Sequence, residues 1–73
     1  MNIEQIEKDY LGKTVANKNG VVSRETHEEY EKKLGVSYLR FIQKGYMYTM
    51  DIRGDRLNFE LDDDCKIVKV YIG

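Results

Sequence analysis

The sequence predicts an α+β domain in which one main helix packs on a small mixed β-sheet. Three observations carry that expectation. Residues 2–11 repeat apolar groups at a helical period, a second and better-marked helical stretch ends at Gly35, and from Val36 onward the chain turns to β-formers. Seventy-three residues make a single domain, 1–73. A chain of this length buries only about 60% of the surface exposed when it is unfolded, so its core must be compact.

In residues 2–11, Ile3, Ile6, Tyr10 and Leu11 fall at the i, i+3, i+7, i+8 spacing of one helix face, and Gly12 ends the run. Gly12-Lys13-Thr14 looks like the end of a phosphate-binding loop, but the earlier glycine and the leading strand of that motif are missing. Asn17-Lys18-Asn19-Gly20 reads as a turn. Ser23 or Thr26 caps the second helix, and Thr26 with Glu29 fits a capping box. Acidic residues sit in its first turn and Lys32 and Lys33 in its last, with Gly35 as the left-handed stop. His27, Tyr30 and Leu34 share a face. His27 is the sole histidine and has no Ser or Cys nucleophile pattern around it, so it reads as a half-buried helix residue, and Glu28, Glu29 and Glu31 read as a solvated face rather than a metal site.

Val36 to Ile42 is the first strand, with Leu39 and Phe41 on one side and Arg40 between them. Asp62 to Lys66 is a turn into a last strand, Ile67 to Ile72. Its three adjacent aspartates lack the spaced ligands of a calcium loop.

Gly45 to Phe59 admits two readings. In one, Tyr46, Tyr48, Met50 and Ile52 alternate up to a turn at Arg53-Gly54-Asp55, and Leu57, Phe59 and Leu61 alternate away from it, which makes a β-hairpin. In the other, Gly45 to Asp55 is an extended loop held out from the domain. Pattern alone favours the hairpin. Arg53-Gly54-Asp55 also spells an adhesion tripeptide, a motif short enough to arise by chance.

Composition narrows the function classes. With 41% hydrophobic and 34% charged residues and a net charge of −1, the chain reads as a soluble globular domain, with no membrane role. Its cations are dispersed among 13 acidic residues, so no basic surface for nucleic acid is expected. Met1 to Lys8 has neither the basic nor the apolar region of a signal peptide, which points to an intracellular protein or to a mature chain with an added Met. Cys65 is the only cysteine, so no internal disulfide forms, and in an oxidising compartment it carries a risk of dimerisation. No nucleophile, base and orienting group assemble into a catalytic site, and no cofactor is called for.

Gly45, Thr49-Met50-Asp51-Ile52-Arg53 and Arg56 resemble the protease-binding loop of the potato inhibitor I (eglin-like) family, and Leu11-Gly12-Lys13-Thr14-Val15 resembles the segment preceding the helix there. Thr49-Met50-Asp51 followed by Asp55-Arg56-Leu57-Asn58, a strand, an acidic turn and a terminal Gly is similar to the bacterial and fungal elastase-inhibitor family. The resemblance covers about 10–16 and 37–73 and favours the loop reading, with a long exposed protease-binding loop between two parallel strands.

It implies a monomeric inhibitor of a serine endopeptidase of subtilisin, chymotrypsin or elastase type, not an enzyme. Met50 fills the primary specificity pocket, Met50-Asp51 is the reactive-site bond, and Tyr46, Met47, Tyr48, Thr49, Ile52 and Arg53 contact the protease. Gly45, Arg56 and Asn58 support the loop, with Arg56 holding Asp51 and the Thr49 side. Asn58 stands where the eglin group has a second arginine, and Ile72 where the elastase inhibitors usually have a cysteine. The alternative is an intracellular interaction module that keeps the scaffold without inhibiting.

Overall fold

The computed structural model describes residues 2–43 and 54–73. Helix α1 (Ile3–Tyr10) starts where the Asn2 side chain accepts from the Gln5 N–H at 3.2 Å, satisfying a donor that has no partner within the helix. Ile3, Ile6 and Tyr10 face the core as expected. Leu11 does not. The helix has already ended there (φ −58°, ψ 128°), so the Leu11 side chain leaves the apolar stripe and is 48% exposed.

Helix α2 (Arg24–Leu34) is capped by Ser23, whose Oγ accepts from the Thr26 N–H at 3.2 Å and lies 3.0 Å from the Thr26 hydroxyl. Thr26 is therefore inside the first turn and the expected Thr26/Glu29 box does not form, because the cap three residues earlier takes the Thr26 N–H. Gly35 closes the helix at φ 69°, where a side chain would be strained, and its N–H reaches the Glu31 carbonyl at 2.9 Å.

Strands β1 (Tyr38–Ile42), β2 (Arg56–Leu61) and β3 (Ile67–Ile72) form one sheet in the order β1-β2-β3. Strand β1 starts two residues later than the β-formers suggest. It pairs parallel with β2 from Tyr38↔Arg56 to Ile42↔Glu60, and β3 pairs antiparallel with β2, with a register shift at Glu60/Leu61. The placement of β2 bears on the hairpin reading of the central stretch. Both of its hydrogen-bonding edges are occupied, by β1 and by β3, so 57–61 have no edge left to form the expected hairpin with 46–52.

Period-2 alternation puts Leu57, Phe59 and Leu61 on the helix side, opposite Leu39 and Phe41 of β1 and Val70 and Ile72 of β3. There Tyr10, Tyr30, Phe41 and Phe59 form a cluster with neighbouring ring centroids 5.4 to 6.2 Å apart, joining both helices to the sheet. His27 stacks edge-on to Phe41 at 5.6 Å, the half-buried role expected of it. Residues 12–15 run along the start of β3: Gly12 N–H donates to Ile67 O, Ile67 N–H to Lys13 O and Val15 N–H to Cys65 O, each at 2.8 Å, which buries Val15 completely. The glycine, lysine and threonine that look like part of a phosphate loop are thus an edge pairing.

Candidate functional site

The candidate site is built on the two stems of the connection from Ile42 to Arg56. Gly45, Tyr46, Met47, Tyr48, Thr49, Met50, Asp51, Ile52 and Arg53 lie outside the described residues. Gly54 and Asp55 are exposed and form a turn that enters β2.

Arg56 and Asn58 occupy alternate positions of β2 and project to the side of the sheet away from the helices, where the register sets Asn58 between Arg40 and Tyr71. Asn58 is fully buried. Its Oδ1 accepts from Arg40 Nε at 2.7 Å, and its Nδ2 donates to Gly73 O at 3.0 Å, with the carbonyls of Arg56 and Tyr71 further off at 3.3 and 3.4 Å. Arg56 Nε donates to the same Gly73 carbonyl at 2.8 Å, and Gly73 N–H donates back to Arg56 O at 3.0 Å. Strand β2, the end of β3 and Arg40 of β1 are thereby tied into one polar cluster beneath the second stem. A buried amide is stable here because both its acceptor and its donors are used.

The first stem is held differently. Gln43 follows β1 directly, and its Nε2 donates to the Gly20 carbonyl, with Cys65 Sγ 3.7 Å away. Cys65 takes a left-handed conformation (φ 60°), is buried, and its thiol donates to the same Gly20 oxygen at 3.4 Å. A thiol so enclosed is not presented to a second molecule, which removes the expected risk of dimerisation through it.

The other charged candidates have structural roles. Asp62 Oδ1 accepts from the N–H groups of Asp64 and Lys66, both at 2.9 Å, so the triple-aspartate run makes a backbone turn. Among the described residues no group of three or more His, Cys, Asp or Glu is placed to hold a metal, and no helix is long and apolar enough to cross a membrane. His27 lies 3.8 Å from Glu31 on the helix surface. Burial pushes the Tyr30 hydroxyl up from its usual value of 10.0, with Tyr10 and Glu29 adding to the shift.

Sequence reasoning places Arg56 and Asn58 at the stem through the family resemblance. It misses Gln43, Arg40 and Gly73. Their contacts span 15 to 23 residues of chain, and no local pattern signals them.

A solved structure shares this architecture. The solved structure of the elastase inhibitor AFUEI superimposes with a TM-score of 0.68 over 97% of this chain and 88% of that one, at 15% sequence identity. That likeness shows a shared fold. It supports the elastase-inhibitor resemblance, while the link to the potato inhibitor I group stays with the sequence motifs. No family model matches the sequence, and no curated protein does.

Proposed function

We propose that this protein inhibits a serine endopeptidase by offering Gly45 to Asp55 as a substrate-like loop. The observation that carries this reading is the double anchoring of a long crossover between parallel neighbours, by Gln43 at one stem and by Arg56, Asn58 and Gly73 at the other. Returning from the end of β1 to the start of β2 requires about 16 Å along the strands. A dozen residues reach about 40 Å, and a connection so much longer than its span is uncommon in small domains unless it is functional. The fold likeness to an elastase inhibitor supports the same reading.

In this account Met50 enters the primary pocket, Met50-Asp51 is the bond presented for attack, and Tyr46, Met47, Tyr48, Thr49, Ile52 and Arg53 line the enzyme cleft. Gly45, Arg56 and Asn58 support the loop. Ordering a residue costs about 1–2 kcal/mol. A loop held in its bound shape before docking has already met that cost, so its contacts appear as affinity. The same anchoring keeps the two ends together after a cut, so religation competes with release. Arg56 braces Asp51 and the Thr49 side by charge-assisted hydrogen bonds while its Nε holds Gly73. The protein is a stoichiometric inhibitor and catalyses nothing itself.

The test is titration of elastase, subtilisin, chymotrypsin and trypsin with the purified protein. Met50 is apolar and unbranched, which suits the roomy apolar pockets of subtilisin and chymotrypsin and lacks the charge a trypsin pocket pairs with. Submicromolar one-to-one inhibition of at least one of elastase, subtilisin and chymotrypsin, with trypsin untouched, is expected. Absence of inhibition at micromolar protein rejects the reading in favour of a non-inhibitory interaction module.

A further inference from the structure

Resting on that inhibitory reading, we infer that Gln43 is a positioning residue that latches the first stem of the loop to the Asn17–Gly20 turn. A segment more than twenty residues away in sequence thereby fixes where the chain leaves β1. The turn is suited to serve as a post. Lys18 and Val21 exchange backbone hydrogen bonds at 2.9 and 3.1 Å, and Asn19 and Gly20 are both left-handed, at φ 54° and 81°. Asn17 ties the turn in both directions, its Oδ1 accepting from Gly20 N–H at 3.1 Å and its Nδ2 donating to Val15 O at 2.9 Å.

Val15 is fully buried and donates its own N–H to Cys65 O. The Cys65 thiol then returns to Gly20 O, where Gln43 Nε2 also arrives. Gln43, Gly20, Asn17, Val15 and Cys65 therefore close a ring of contacts with two members in the core. The polar cluster of Arg56, Asn58 and Gly73 holds only the second stem. The Gln43 ring supplies the matching restraint at the first, and a loop needs both ends fixed to keep one shape.

Loss of the Gln43 donor frees the first stem without touching the loop sequence. Gln43→Met keeps the side-chain shape and removes the donor, and Gln43→Glu sets an acceptor against the Gly20 carbonyl. Measured at 25 °C against an enzyme the parent inhibits, Gln43→Met is expected to raise the inhibition constant about fivefold, the worth of one neutral hydrogen bond. Cleavage of the bound loop should accelerate by a similar factor, and Gln43→Glu should do more. Ser23→Ala loses a helix cap of comparable worth whose hydrogen bond lies outside that ring of contacts. It should lower the melting temperature yet leave the inhibition constant and the cleavage rate at parent values, which separates positioning from plain destabilisation.

If Gln43→Met and Gln43→Glu inhibit and resist cleavage as the parent does, the latch is wrong and the inhibitory reading stands. If Ser23→Ala weakens inhibition as much as they do, the effect is general stability and the latch is again wrong. A parent that inhibits no protease overturns the inhibitory reading itself, and the latch with it.

Discussion

Asn58→Ala is the substitution whose cost follows most directly from the geometry. The amide is fully buried and serves a charged partner, accepting from Arg40 Nε at 2.7 Å, as well as a neutral one, donating to Gly73 O at 3.0 Å. A hydrogen bond to a charged group contributes about 1.5–3 kcal/mol and a neutral one about 1 kcal/mol, and the Gly73 carbonyl keeps its second donor, Arg56 Nε. The two longer contacts, at 3.3 and 3.4 Å, add little. The expected loss is about 2.5–4 kcal/mol, set against a total stability of about 4–11 kcal/mol for a chain of this length. In a domain this small, 1 kcal/mol moves the melting temperature by about 4–8 °C, so a fall of about 15–25 °C should appear in a thermal melt followed by circular dichroism. Urea titration should give a matching shift in midpoint with an unchanged slope. A fall of less than about 5 °C would refute the reasoning, because it would mean that Arg40 and Gly73 find other partners at no cost.

Other perturbations separate the fold from the site. Arg56→Ala should leave most of the secondary structure in place but turn a slowly cleaved inhibitor into a substrate. Equal inhibition constants and cleavage rates for variant and parent would remove Arg56 from the brace. Met50→Lys should transfer inhibition to trypsin, and Met50→Asp should abolish it for all the enzymes by burying an unpaired carboxylate at a cost of several kcal/mol. Unchanged inhibition profiles for both would exclude Met50 from the pocket.

Tyr30 titrates above its usual 10.0 because burial disfavours the phenolate. It follows that the folded state holds its proton more tightly than the unfolded one. That contribution to stability is complete below about pH 10 and is lost as pH rises through the folded value. Tyr30→Phe should therefore flatten the fall in urea midpoint between pH 9 and pH 12, and an equally steep fall in the variant would assign it to other groups.

Much of the scaffold was legible because local chemistry governs it. Gly35, Lys32 and Lys33 marked the end of α2, and alternation in 57–61 and β-branched residues in 67–72 marked two strands. What local pattern could not give was pairing. Tyr46 to Ile52 alternate in sequence as well as any strand, and only the occupation of both β2 edges by β1 and β3 shows that β2 has no edge left to pair with them. The stem contacts were hidden for a similar reason. Asn58 stands between Leu57 and Phe59, where alternation reads it as a solvent-facing residue, yet it is buried because Arg40 and Gly73 converge on it from distant parts of the chain. Cys65 offered no cue that its backbone is left-handed and its thiol enclosed.

The most direct test of the central claim is to follow the inhibitor itself during prolonged incubation with an enzyme it blocks, by intact-mass spectrometry. A substrate-like loop predicts one cut, at Met50-Asp51, appearing slowly. It also predicts the same ratio of intact to cut chain whether the experiment starts from intact or from cut protein. Rapid digestion at several bonds, a single cut elsewhere, or a cut form that never religates would contradict it.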